Sequence, residues 1–250
     1  MIVVHHLNHS RSQRVLWLLE ELGLAYEIKR YEREKSGLAP KSLEAVHPLG
    51  KSPVITDGAL TLAESGAILE YLVDRHGNGR LAPPRDTPER LRYTYWMHYA
   101  EGSAMPPLLL KLVFDRIEGS RMPFFAKPIA RAIAGKAKAG FIGPQLTRHL
   151  DFMESSLAAS PWFAGPEFSA ADIQMSFPIE AAAARAGLDR SRPRLMDYLA
   201  RIRVPPCSPR TGRGAPTPRR VPRCSAAAGA NGPHGCCARS RRPIRTSPPR

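Results

Sequence analysis

An α/β unit followed by an all-α unit is the fold class that this 250-residue sequence predicts. Three observations carry that reading. Strand and helix signals alternate through the first part of the chain; the linker Leu81-Ala82-Pro83-Pro84 interrupts them; and from Thr87 to Arg203 the apolar spacing is helical, with no strand signal. The expected organisation is 1–80 for the first domain, 81–86 for a linker, 87–203 for a helical domain and 204–250 for a disordered Arg/Pro-rich tail.

Met1 to Leu7 is a short β-rich run, and Ser10 or Ser12 can then cap a helix from Gln13 to Leu22 that Gly23 ends. Val15, Leu16, Leu18, Leu19 and Leu22 fall on one stripe of that helix. Ala25 to Tyr31 alternates like a half-buried strand, which makes the start β-α-β and implies parallel pairing. Pro53 precedes the β-branched run Val54-Ile55-Thr56, at a strand start or in a bend, where a cis bond is one option. Asp57-Gly58 signals a hairpin with Ala59 to Leu62 returning, and Glu64-Ser65 opens a helix from Gly66 to Arg75. Further helices are expected at 87–105, 107–118, 123–158, 170–186 and 193–203. Met105-Pro106-Pro107 is expected to break one of these and Gly143-Pro144 to interrupt another. Ser169-Ala170-Ala171-Asp172 reads as a capping-box variant, with Phe168 and Ile173 spaced as a hydrophobic staple.

The net charge of +15 is unevenly distributed. The 27 basic and 22 acidic residues through Arg203 leave +5, and the ten arginines from Val204 to Arg250 supply the other +10. All four cysteines (Cys207, Cys224, Cys236, Cys237) also lie in that tail, so the body can hold neither a disulfide framework nor a cysteine zinc site. The tail has ten prolines and no Phe, Trp or Tyr, a composition too poor in apolar groups to offset the entropy of ordering it. A phosphate-binding arm for RNA or a membrane surface, an inert extension, and GC-rich coding sequence read out of frame are the three readings of it. No apolar run is long enough for a membrane span and the N-terminus lacks a signal peptide's features, so a cytoplasmic protein is expected.

Several separated motifs occur in one order: NHSRSQRVLWLLEELGLAYE, GKSPVITDG, LAESGAI, a linker, and FSAADIQMSF on the helical side. In this the chain resembles the cytosolic glutathione S-transferases, most closely a bacterial and fungal subgroup, over about Met1 to Arg203. The resemblance implies a thioredoxin-like first domain, glutathione as co-substrate, no metal, a small-molecule electrophile as second substrate, and a homodimer. Family members normally continue with a further helix or two where this chain departs, after LARIR.

The resemblance also implies site residues. Glu64 and Ser65 would take the γ-glutamyl end of glutathione at a helix N-terminus, where amides and macrodipole favour a carboxylate; a plain helix cap is the alternative for both. Ser52, before a cis Pro53, would offer its main chain to the cysteinyl part, and Lys51 could reach the glycyl carboxylate; a plain strand-start proline and a solvated loop lysine are the alternatives. A free thiol with a pKa of about 8.5 is mostly neutral at pH 7, so a hydroxyl hydrogen bond is needed to favour the thiolate. The first βα loop offers neither Tyr nor Cys. Ser10, four residues before Arg14, is the first candidate for that hydroxyl, with Ser12 and Asn8 behind it. The aromatic stripe containing Tyr95, Trp96, His98, Tyr99 and Met105 is partly core, with Tyr99 and His98 the candidates for an electrophile pocket. Arg131, Lys136, Lys138 and Arg148 read as a solvated basic face. The expected activity is attack of bound thiolate on small electrophiles, or reduction of peroxides. The alternative is a non-catalytic glutathione-binding or interaction module on the same fold.

Overall fold

The computed structural model describes residues 1–8 and 10–203. The expectations for the tail, 204–250, fall outside them. The first half is a four-stranded sheet with helices on both faces. β1 (Ile2–Leu7), α1 (Ser12–Leu22) and β2 (Tyr26–Tyr31) form the expected β-α-β unit, and β1 pairs with β2 in parallel, Ile2 opposite Tyr26 and Leu7 opposite Tyr31. A short helix, α2 (Lys41–Glu44), then leads to the hairpin β3 (Val54–Asp57) and β4 (Leu60–Ala63). β3 adds antiparallel to β1, so the sheet order is β2-β1-β3-β4, and α3 (Ser65–His76) closes the unit.

Alternation along β1 explains the two faces. Ile2 and Val4 point into the main core with Val15, Leu18 and Leu19 of α1 and Ile68, Leu69 and Leu72 of α3. Leu7 points the other way, into a small cluster with Tyr31 and with Leu43 of α2. The short helix α2 is absent from the sequence reading because four residues give no periodic signal; it covers the sheet face that α1 and α3 leave open. All five residues of the expected α1 stripe are buried, and Gly23 ends the helix in the left-handed region at φ 69°.

The regular elements of the second half are all helices among the described residues. α4 (Pro88–Tyr99) starts at Thr87, whose side chain accepts from the Arg90 amide. The expected break at Met105-Pro106-Pro107 does not occur. A π-helical turn, Ala100–Ala104, passes directly into α5 (Met105–Gly119), and the Met105 amide reaches back five residues to Ala100. The extra residue in that turn shifts the carbonyl ladder away from prolines that cannot donate and would otherwise clash four residues back. The same device follows α6 (Ala126–Ala137). A π turn, Lys138–Ile142, hands over to α7 (Gly143–Ala159), with the Gly143 amide on the Lys138 carbonyl and Pro144 just beyond. A Cβ at Gly143 would sit 2.9 Å from that carbonyl oxygen, so the tight turn requires glycine.

α8 (Ala170–Arg185) and α9 (Pro193–Arg203) complete the fold. α8 is the central helix; it packs against α1 and α3 of the first half and α4 and α5 of the second, and one continuous core runs through both. Its start carries the anticipated box. Asp172 is fully buried and accepts from the amides of Ser169 (2.9 Å) and Phe163 (3.0 Å) and from the Ser169 hydroxyl (3.0 Å). Burial pushes its pKa up to about 6 against the pull of those donors. Among the described residues no helix is long and apolar enough to cross a membrane.

Candidate active site

The segment leading into β3, the end of β4, the start of α3 and the residue before α1 meet at a cavity of about 190 Å³. Five residues singled out in the sequence line it together: Lys51, Ser52, Pro53, Glu64 and Ser65. The Ser52–Pro53 bond is cis. Arg11, His47 and Glu101 complete its polar rim.

Glu64 occupies the residue before α3 at φ 70° and ψ 120°, a conformation unusual for a residue with a side chain. Its side chain does not cap the helix, so the first turn of α3 opens onto the cavity without a side-chain cap. Ser65 is 3% exposed. Its hydroxyl accepts from Arg14 Nη1 at 3.0 Å and from Gln174 Nε2 at 3.4 Å. Those two donors occupy both lone pairs, so the capacity left to this hydroxyl is its own proton.

Arg14 is the principal residue that the sequence reading did not assign a role. It is fully buried, and its Nη1 also contacts Glu101 and, at 3.2 Å, Gln174 Oε1. Arg11 Nε forms a second ion pair with the same Glu101 oxygen at 2.9 Å. Both guanidinium groups lie 5.2 Å from the ring centre of Phe177. Burial pulls the Arg14 pKa down to about 10, and Glu101 holds it up, so the group stays cationic at neutral pH. The signal available in the sequence was a charge on an apolar stripe, since Arg14 precedes buried Leu18 by one helical turn. Glu101 gives no such signal: it lies in the π turn, 87 residues from Arg14.

The three serines come together. Ser10 Oγ lies 2.8 Å from Ser12 Oγ and 3.2 Å from Ser52 Oγ, and so reaches the cavity lining through Ser52. Ser12 is fully buried and touches His6 Nδ1 at 2.7 Å. Neither serine is the N-cap of α1: Arg11 holds that position, with no side-chain cap, although Ser10 Oγ lies 3.4 Å from the Ser12 amide. Asn8 is turned away, its Oδ1 accepting from the Arg33 amide at 3.0 Å.

Tyr99 and His98 do not line this cavity. Tyr99 is 7% exposed, packs against Trp96 and Phe152, and bonds His149 Nδ1 through its hydroxyl. His98 faces solvent. The π turn that follows brings Glu101 to the rim instead. A larger cleft of about 360 Å³, between the end of α7 and α9, contains none of the residues assembled here.

Residues 1–74 match the family model described as glutathione S-transferase, N-terminal domain. The chain is 42% identical over 182 residues to glutathione S-transferase 3 of Schizosaccharomyces pombe, covering 73% of this chain and 74% of that protein. It is 34% identical over 189 residues to glutathione S-transferase 1 of Saccharomyces cerevisiae, covering 73% and 81%. Among solved structures it resembles a glutathione S-transferase from Actinobacillus pleuropneumoniae, with a TM-score of 0.68 at 34% identity over 82% of this chain and 88% of that one. A theta class glutathione S-transferase from Xanthomonas axonopodis pv. citri, solved with glutathione bound, aligns with a TM-score of 0.63 at 27% identity, covering 82% and 93%.

Proposed function

The chain belongs to the glutathione S-transferase family and is a glutathione transferase, and from that premise we propose how its cavity holds glutathione and activates its thiol. The γ-glutamyl carboxylate sits at the first turn of α3, taking the Ser65 hydroxyl proton and amide, and the Glu64 carboxylate faces the ammonium. The main chain of Ser52, before Pro53, pairs with the cysteinyl unit, and Lys51 meets the glycyl carboxylate. Ser10 donates to the sulfur. Ser12 is less suited because it is fully buried and already engaged by His6 and Ser10, and Asn8 is engaged by Arg33.

The observation that carries this reading is the Ser65 hydroxyl. Arg14 and Gln174 fill its acceptor capacity from within the core, beside an uncapped helix start. A donor with nothing else to donate to, at the positive end of a helix, suits a carboxylate.

Binding lowers the thiol pKa, so the thiol gives up its proton to solvent. The thiolate then attacks an electrophilic carbon, displacing a leaving group or adding across a double bond. Alternatively it attacks a peroxide oxygen, breaking the O–O bond to release an alkoxide and leave a sulfenic acid that a second glutathione converts to the disulfide and water. The protein contributes a hydroxyl donor, a fixed approach and exclusion of water from the sulfur. We further propose a cytoplasmic homodimer acting in detoxification, with a domain division at the 81–86 linker. The experiment is a calorimetric titration of the folded protein with reduced glutathione. Saturable binding at one molecule per chain, lost on Ser65→Ala with Glu64→Ala, is the expected result; a folded sample that takes up no glutathione overturns the proposal.

A further inference from the structure

The hydroxyls beside the cavity form one chain whose direction is fixed by counting protons. Ser52 Oγ lies 2.9 Å from the carbonyl oxygen of His5, and a carbonyl only accepts, so the Ser52 proton is committed there. The Leu7 amide, at 3.3 Å, fills one acceptor site of Ser52. The 3.2 Å contact between Ser10 and Ser52 must then use the Ser10 proton. The 2.8 Å contact between Ser10 and Ser12 uses the Ser12 proton. Nothing is left on Ser12 for its 2.7 Å contact with His6 Nδ1, and only an Nδ1–H can supply that bond.

We propose that His6 is a positioning residue for the transferase reaction: its Nδ1–H heads the chain His6–Ser12–Ser10 and keeps the Ser10 proton turned outward, toward the cavity, where the glutathione sulfur accepts its hydrogen bond. The proposal rests on the reading of Ser10 as the sulfur's donor. With the thiolate bound, rotation about one bond moves the Ser10 proton from Ser52 to the sulfur, while Ser10 Oγ continues to accept from Ser12. Each donor in such a chain polarises the next. Were His6 Nδ1 an acceptor instead, the Ser12 proton would point at the ring. Ser10 would then have to spend its own proton on Ser12, and the sulfur would lose its donor. No proton leaves the chain in this arrangement; His6 acts through Ser12 and touches no substrate.

The surroundings of His6 keep this a choice between two neutral tautomers. Burial and the cation of Arg30, its register partner on β2, both lower its pKa, so the ring is uncharged at neutral pH.

The test reads the pKa of the enzyme-bound glutathione thiol from its ultraviolet thiolate absorbance, alongside glutathione affinity and turnover. His6→Leu, similar in size but without a donor, is expected to raise that pKa by about one unit, a tenfold smaller thiolate fraction. Turnover falls accordingly, while the dissociation constant measured at a pH below the bound thiol's pKa stays unchanged. His6→Asn, which returns an amide N–H near the Nδ1 position, restores most of the loss. A folded His6→Leu protein with the wild-type thiol pKa overturns the proposal. If His6→Leu does not fold, the ring nitrogen chemical shifts of His6 in the wild-type protein decide: an Nδ1–H tautomer supports the chain, and an Nε2–H tautomer overturns it. Ser10→Ala separates the two levels. A thiol pKa that moves in Ser10→Ala but not in His6→Leu removes His6 alone, and one that moves in neither removes the reading of Ser10 as donor as well.

Discussion

At the start of α8, Ser169 and Asp172 close on each other: the carboxylate takes the Ser169 amide, the Ser169 hydroxyl and the Phe163 amide, all within 3.0 Å and all buried. At the start of α1, Ser10 and Ser12 stand at a helix with no side-chain cap, and their hydroxyls bond one another, Ser52 and His6. α3 begins like α1, without a side-chain cap and beside the cavity. A serine at or just before the first helical residue is the same signal in all of these segments. What differs is whether the donors and acceptors there have all been satisfied inside the protein. Where they have, the start is a structural fastener. Where a donor remains, as on Ser65, the start can bind something.

The most severe test of that contrast is Asp172→Ala. It leaves two buried amides without an acceptor, and the expected loss is about 2–4 kcal/mol of stability, read from denaturant unfolding. Glutathione affinity per folded molecule should not change. The carboxyl also imposes a pH dependence. Its folded pKa of about 6 lies above the ordinary carboxylate value, so the native state holds the proton more tightly than the unfolded chain. This contribution is fully present below about pH 4 and is lost as pH rises through about 6, a slope that Asp172→Asn should remove from the unfolding free energy. Equal slopes in both proteins would show that Asp172 ionises as in an unfolded chain.

Ser10→Ala is the counterpart at the other kind of helix start. It should reduce turnover by about ten- to a hundredfold, with little effect on unfolding or on glutathione affinity measured below the bound thiol's pKa. A large stability loss with intact turnover would instead make Ser10 a cap of the α8 type. Ser65→Ala should weaken glutathione binding about tenfold, the effect of one charge-assisted hydrogen bond, measured by calorimetry. It also strips Arg14 and Gln174 of an acceptor, so a moderate stability loss accompanies it.

The contrast also explains how much of this molecule could be read from its sequence. The α1 stripe, Gly23, the Asp57-Gly58 hairpin and the Ser169–Asp172 box are local signals, each complete within a few residues, and each appears where the residues say it should. The order of strands and helices follows from them. The π turns before Pro106 and Pro144 were not legible, because a proline announces a lost hydrogen bond without saying how the helix absorbs it. The site was half legible. Lys51, Ser52, Pro53, Glu64 and Ser65 lie in two short motifs that the hairpin brings together. Arg14 with Glu101, Ser65 with Gln174, and Ser10 with Ser52 are partners 87, 109 and 42 residues apart, set by the docking of the π turn and α8 against the first half and by the sheet register rather than by any local pattern. Tyr99 shows the converse: its aromatic stripe was visible, but the packing of Phe152 and His149 over it decided that it is core.

The smallest expected effect is the most discriminating, because its sign is opposite to that of Ser10→Ala. In the ligand-free protein the Ser10 proton is held by Ser52. On the proposed reading of Ser10 as the sulfur's donor, glutathione has to win it from that acceptor, and the Ser52 hydroxyl competes with the sulfur for the same proton. Ser52→Ala removes the competitor and leaves the main chain before Pro53 in place. The bound thiol pKa should fall by a few tenths of a unit, while losing the contacts to the His5 carbonyl and the Leu7 amide costs about 1 kcal/mol of stability. Lower stability with a more acidic bound thiol is a combination that a closed box like that of α8 cannot give, since every hydroxyl there already has its partner. A thiol pKa that rises in Ser52→Ala would mean that Ser52, and not Ser10, supplies the hydrogen bond to sulfur.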